Sequence, residues 1–316
     1  MDWNTLLSYG AELALSDVQM AALKNIYDKT KDSLLPACLA VWHNKGEMEL
    51  IKQALPDEME QNQFLLLLHI AALPFGKECH KAYPAAMFQE IKADTAIWVR
   101  KMEKDHDSPC LTPRIYGWCR DGFNTRVKQF GRLQCNSIDS YACKNIIYRR
   151  SDGSGIDIVP GTAPDPSKGL PALSYGDKVI NVHIPEAGPM YPKDIIASMR
   201  AMAAFSREYQ KDYDFKAFVY YSWLLDPAFQ KLLPETSNIL ALQRMGHIFM
   251  MPDSPDETLE VIWRLWGHKE MMAGPAAAMS FERRTSMQKN VSEYLANGGK
   301  FWEAVMVIFP DELEKL

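Results

Sequence analysis

The chain has 316 residues, 47% of them hydrophobic, with 35 basic against 40 acidic side chains and a formal net charge of −5. That length exceeds what one hydrophobic core usually holds, so two domains are expected. The basic residues form no run longer than a pair, which argues against a nucleic-acid partner.

The opening stretch, MDWNTLLSYGAELALSD, is acidic and lacks the apolar core of a signal peptide. The longest apolar stretch, Phe64 to Leu73, is too short to span a bilayer, so a cytoplasmic protein with no membrane partner is expected. Six cysteines stand at 38, 79, 110, 119, 135 and 143 with no C-x-x-C pair. Zinc ribbons and fingers need close ligand pairs, and a disulfide scaffold is smaller and denser in cysteine, so reduced thiols and no metal are expected. Cys79 and His80 are adjacent, point apart on a helix, and find no second pair to complete a site.

In chain order, residues 1 to about 105 read as helices only. Ser16 with Gln19 matches a capping box, and Met20, Leu23 and Tyr27 follow on one face. A second segment, Leu34 to His43, is expected to stop near Gly46. A third, from Glu58 to Leu73, is apolar nearly all round at FLLLLHIAAL and should lie at the centre of a bundle. His69 inside it reads as a satisfied core histidine. Pro84 opens a fourth helix that passes Met87, Ile91 and Trp98.

The charges, prolines and serine of MEKDHDSPCLTPR mark a boundary, dividing a helical domain at 1–114 from a second domain at 115–316. Beyond it, Val127 to Cys135 reads as one strand, and NIIYRR and IDIVPG flank SDGSG as a hairpin. After a Pro- and Gly-rich loop at 160–176, Val179, Ile180, Val182 and Ile184 form a β-branched strand ended by Pro185, with His183 near its end. Pro192 suits a first helical position, Asp194 complements the helix dipole, and Ile195, Met199, Met202 and Phe205 make one apolar stripe. Ala217 to Trp223 is apolar on both faces, as a central strand is, and the helix between two such strands implies that they run parallel. Asp226 caps a short helix opened by Pro227 and closed by Pro234.

Gly246 to Met251 is a further strand candidate. Ser254, Pro255 and Glu257 match a capping box for a helix ending at Gly267, and a polar helix from Thr285 to Ala296 stops at Gly298. FWEAVMVIF reads as the last strand. The expected fold class is α/β (α+β): a helical N-terminal domain, then a mixed sheet with helices on both faces.

This order of meander strands, a strand ending in VHIPEAGP, a helix, the strand AFVYYSWLLDP and the later SNILALQ, with GRLQ at 131–134, resembles the GNAT-like C-terminal domain of bacterial acyltransferases. The helical first third resembles the N-acyltransferase N-terminal domain that accompanies it, so the likeness covers nearly the whole chain. It implies an N-acyltransferase that moves an acyl group from acetyl-CoA or another acyl-CoA to a small-molecule or peptide amine. The helical domain would shape the acceptor pocket or a homodimer contact. The alternative is a GNAT-shaped binding or regulatory module without transfer chemistry.

In such enzymes two parallel strands splay apart, pantetheine lies in the gap, and the pyrophosphate rests on backbone N–H groups at the next helix start. The usual Q/R-x-x-G-x-G/A loop is replaced here by Glu186-Ala187-Gly188-Pro189-Met190-Tyr191-Pro192, whose two prolines donate nothing. By that resemblance Ile184, Ala187, Gly188, Met190 and Lys193 are the CoA-binding candidates. Gly188 would serve by close backbone approach or positive φ, Lys193 by charge, and the Glu186 carboxylate would repel phosphate.

Acyl transfer needs a base for the amine, a donor for the developing oxyanion and often an acid for the thiolate. His183 and Glu186 are base candidates, His183 the better because its ordinary pKa lies near neutrality. Tyr220, Tyr221 and Ser222 are donor or acid candidates, with Tyr220 and Ser222 on one face of the strand and Tyr221 and Trp223 on the other. Trp223, Asn238 and Gln243 are candidate substrate contacts. Each also has an ordinary role open to it: a strand histidine, a solvated turn acid, core rings, a helix cap. A cysteine nucleophile, Cys110 or Cys119, with a histidine base is the competing mechanism.

Overall fold

The computed structural model describes residues 1–42, 55–150, 155–251 and 253–316. Gly46, the expected stop of the second helix, and residues 151–154 of the SDGSG turn lie outside the described residues. The chain forms two compact units, Met1–Gln129 and Phe130–Leu316.

The first unit is helical: α1 (Trp3–Glu12), α2 (Asp17–Ala22), α3 (Lys24–Trp42), α4 (Glu58–Ala71), α5 (Leu73–His80), α6 (Ala85–His106) and α7 (Pro113–Phe123). The Ser16–Gln19 capping box forms and starts α2. Asp57 caps α4, whose residues Phe64 to Ala71 are all buried. Burial on every side puts α4 at the centre, packed against α1, α3 and α7. His69 is a core histidine: Nε2 bonds Thr95 Oγ1 at 3.1 Å, and burial lowers its pKa to about 3. The second helical segment begins at Lys24, well before Leu34, because nothing between them breaks the helix.

In the second unit the strands order as β2 (Leu133–Ser140), β5 (Lys178–His183), β6 (Ala217–Ser222), β8 (Ala304–Ile308) and β7 (His247–Met250); β1 (Val127–Phe130) precedes them in the chain. The stretch expected as one strand from Val127 to Cys135 is two, because Gly131 takes φ 58° and turns the chain. The hairpin β3 (Asn145–Arg149) and β4 (Ile156–Pro160) forms, but as a separate two-stranded sheet. β5 and β6 are parallel, and both are flanked by strands within the sheet. On one face Val179, Ala217, Val219, Val305 and Val307 pack with Tyr141, Ile147 and Leu173.

Between β5 and β6 runs α8 (Pro192–Tyr209), which buries Ile195, Met199, Met202 and Phe205 and packs against β2. The expected stripe is therefore the face it uses. Beyond β6 come α9 (Phe229–Leu232), α10 (Asn238–Gln243), α11 (Thr258–Leu265), α12 (His268–Ala273), α13 (Ser286–Ala296) and α14 (Pro310–Leu313). Phe229, Val261, Ile262, Val291, Leu295 and Phe301 join several of these helices in a second core. Ser254 does not make the expected capping box. Its hydroxyl bonds back to Met251, while Asp256 Oδ1 accepts from the Thr258 N–H at 3.0 Å. Glu257 is held by its N–H donating to the Phe301 carbonyl at 2.8 Å, so α11 starts at Thr258 instead of Pro255. Among the described residues no helix is long and apolar enough to cross a membrane.

Candidate active site

β5 and β6 stay paired only as far as Val182 and Tyr220. Past that rung β6 continues against β8, through Tyr221–Val305 and Ser222–Ala304, while His183 stays opposite Gln134 of β2. Each strand thus keeps its outer neighbour and loses its inner one. The cause is local: Pro185 has no N–H to donate and turns the chain out of the sheet. A crevice at the carboxyl ends of parallel strands, followed by a helix N-terminus, is the usual ligand position in open α/β sheets.

The turn after β5 is held by one side chain. Arg132 donates from Nη1 to the Pro185 carbonyl at 3.0 Å, from Nη2 to Gly188 at 3.1 Å and from Nε to Pro189 at 3.1 Å. Its own N–H donates to Ser198 Oγ at 3.1 Å, and that hydroxyl donates to the Asp194 carbonyl at 2.7 Å, which ties the arginine to the first turns of α8. A carbonyl and the next N–H point opposite ways across a trans peptide, so the Glu186 and Met190 N–H groups aim away from the guanidinium. Gly188 has φ 65°, the left-handed region, and a Cβ there would meet none of the described residues within 4 Å, so backbone conformation rather than space favours glycine.

The remaining CoA-binding candidates divide by what their backbones do. Ala187 N–H is used inside the turn, donating to the Pro185 carbonyl at 2.8 Å. Asp194 and Ile195 N–H both donate to the Tyr191 carbonyl, at 3.0 and 3.2 Å, which leaves the Lys193 N–H at the open start of an 18-residue helix. Lys193 is exposed, Met190 buried and Ile184 half-buried. Glu186 does not stand as an uncompensated charge on the turn. Its Oε2 pairs with Arg264 Nη1 at 3.0 Å, and Arg264 also holds Glu260 at 2.8 Å.

His183 lies on the sheet face with Gln134, Asn136 and Asn181, as the β2–β5 register requires. Its Nε2 bonds Asn136 Oδ1; a carbonyl oxygen only accepts, so Nε2 carries the proton and Nδ1 the lone pair. Burial lowers its pKa to about 4, only partly offset by the Asp139 carboxylate. Desolvation of this half-buried strand end thus moves the ring away from the ordinary near-neutral value that made it the favoured base. Asn181 Nδ2 donates to Asp139 Oδ2 at 2.9 Å in the same row.

The β6 candidates point to two faces as alternation demands. Tyr221 Oη accepts from the Ala142 N–H at 3.2 Å and lies 3.7 Å from Cys143 Sγ. Tyr220 is fully buried and its hydroxyl has no partner among the described residues; burial raises its pKa well above the ordinary tyrosine value. Ser222 Oγ accepts from the Leu224 N–H at 3.2 Å, closing a turn. Trp223 stacks obliquely on Phe229, with 5.7 Å between ring centroids. Asp226 accepts from the Ala228 and Trp302 N–H groups, both at 2.7 Å, and so caps a turn and ties it to the approach of β8. Gln243 Nε2 donates to the Leu224 and Asp226 carbonyls at 2.9 and 3.2 Å, bracing this same turn. Asn238 opens α10 behind the Ser237 cap.

Cys110 and Cys119 belong to the first unit, are buried, and have raised pKa values, about 12 for Cys110. Such thiols supply little thiolate. Among the described residues no group of three or more His, Cys, Asp or Glu side chains could hold a metal ion. Sequence reasoning missed Arg132, Gln134 and Asn136. Their motif, GRLQCN, carries no catalytic signature, and only the strand register sets them beside the turn and His183.

A family model described as the GNAT-like C-terminal domain matches residues 127–306. No curated protein matches the chain. Among solved structures, an acyltransferase mutant in complex with octanoyl-CoA is similar at 15% identity, TM-score 0.65, over 95% of this chain and 86% of its own. An acyltransferase in complex with decanoyl-CoA is 18% identical, TM-score 0.59, over 98% of this chain and 100% of its own. An acyltransferase in complex with CoA and 10C-teicoplanin is 16% identical, TM-score 0.59, over 98% of this chain and 99% of its own. At these identities the likeness is one of fold.

Proposed function

The chain belongs to the GNAT-like C-terminal domain family, and from that premise we propose that it is an acyl-CoA-dependent N-acyltransferase acting on a small-molecule amine. The observation that carries the reading is the parting of β5 and β6 after Val182 and Tyr220, next to the turn that leads into α8. The residues present fit a CoA arm. The facing strand edges suit an extended chain of amides, the Met190 and Lys193 N–H groups suit an anion, and Arg264 offsets the acid in the turn. The structural neighbours hold octanoyl-CoA, decanoyl-CoA and 10C-teicoplanin, which supports an acyl-CoA donor and a small-molecule acceptor.

In the reaction the amine nitrogen bonds to the acyl carbon, the carbon–sulfur bond breaks, and its electron pair leaves on sulfur. The amine proton passes through Nδ1 of His183 to the thiolate, giving an amide and CoA thiol. Asn136 holds the imidazole in the tautomer that keeps the Nδ1 lone pair. With its pKa near 4 the ring is neutral over the physiological range, always able to accept a proton but weakly basic. It therefore acts on an amine that is already uncharged.

Thermal unfolding with and without octanoyl-CoA or CoA tests the reading. A ligand at about 100 times its Kd adds ~2.7 kcal/mol of stability. Stabilisation by both, followed by thiol release when a primary amine is added, is expected. No stabilisation by either would overturn the proposal.

A further inference from the structure

Gln134 is fully buried, and among the described residues neither its Oε1 nor its Nε2 has a hydrogen-bond partner. It stands on β2 directly opposite His183, the last residue of β5, so the two side chains share one sheet face at the end where β5 leaves β6. His183 does not satisfy it, since its Nε2 bonds Asn136, two pairs further along and the next on the same face. A buried amide with both ends unpaired is costly, and an apolar side chain of similar length would fill the space without that cost. The orphaned pair is one donor and one acceptor on a single planar group. That set matches two reacting partners, a thioester carbonyl that only accepts and an amine that donates.

Resting on the acyl-transfer reading, we propose that the Gln134 side-chain amide contacts both substrates, its Nε2–H donating to the acyl carbonyl oxygen and its Oε1 accepting from the acceptor amine. The contact to the carbonyl strengthens as negative charge gathers on that oxygen, and the contact to the amine turns the nitrogen lone pair toward the acyl carbon.

The test is calorimetric titration of the full chain and its Gln134→Met variant with CoA and with octanoyl-CoA, together with unfolding temperatures without ligand. Gln134→Met should keep the parent's affinity for CoA, lose about tenfold in affinity for octanoyl-CoA, and unfold at the same or a higher temperature because two unpaired atoms are gone. An unchanged ratio of the two affinities would overturn the proposal. So would a lower unfolding temperature with both affinities falling equally, which is the mark of a structural glutamine. Should the variant not fold, the side-chain NH2 resonance of Gln134 in the parent decides. It is expected to shift with octanoyl-CoA and not with CoA, and the same position in both complexes would refute the contact. A parent that binds neither ligand would instead remove the acyl-transfer reading, and this inference with it.

Discussion

Arg132 Nη2 donates to the carbonyl oxygen of Gly188 at 3.1 Å, one of three bonds by which the arginine holds the turn after β5. A guanidinium spans three separate carbonyls because its five N–H donors leave three nitrogens fixed in a plane; the three donors of an ammonium all leave one nitrogen. The turn's conformation therefore depends on a residue 56 positions earlier in the chain.

Arg132→Lys is accordingly expected to raise KM for acyl-CoA about tenfold with little change in kcat, because the lost contacts order the cofactor turn and not the reacting atoms. Steady-state kinetics at varied acyl-CoA separate the two parameters. A variant with parental KM would show that the turn holds its shape unaided.

Gly188 makes a sharper comparison. At φ 65° with open space around its Cβ, the only penalty of a side chain is backbone strain, about 1–2 kcal/mol for a branched residue. Gly188→Val should weaken stabilisation by CoA, whereas Gly188→Asn, a residue that tolerates the left-handed region, should stay near the parent. Equal behaviour of the two in a thermal-shift titration would mean that this conformation is unrelated to binding.

His183 carries a pH prediction. Its folded pKa, about 4, lies below the ordinary value of 6.5, so between those values the unfolded chain binds the extra proton. Stability from the neutral ring is thus complete above pH 6.5 and is lost as pH falls toward 4, on the order of 3 kcal/mol. His69, lowered to about 3, adds to the same slope, so urea unfolding of the parent and of His183→Asn over this range should differ in steepness. His183→Ala should lower kcat by about 10². In the parent, kcat/KM should rise with the free-amine fraction of the acceptor and show no inflection near pH 6.5.

Tyr220→Phe removes a buried hydroxyl that has no partner among the described residues. Relief of that unpaired group should leave the protein as stable or more stable by about 1 kcal/mol. Denaturant midpoints measure this, and a clear loss of stability would show that the hydroxyl is bonded in solution. A fall in kcat beyond tenfold, with stability intact, would assign the hydroxyl to the leaving thiolate.

What the sequence determined by itself was whatever depends on neighbours a few residues apart. The β-branched run at Val179–Val182, the proline that opens α8, the Ser16–Gln19 cap and the apolar α4 are settled by local propensity and periodicity. The parallel β5–β6 pair followed from the helix between them. Where a distant group competed, local reading failed: the Phe301 carbonyl engages the Glu257 N–H and no Ser254 capping box forms. Tertiary structure alone decided the site. Arg132 meets the turn, Gln134 faces His183 and Arg264 offsets Glu186 only because strand register and helix packing bring together residues 49 to 78 positions apart. The low pKa of His183 is likewise a property of its enclosure, since desolvation acts through every atom that excludes water and not through the residues beside it in sequence.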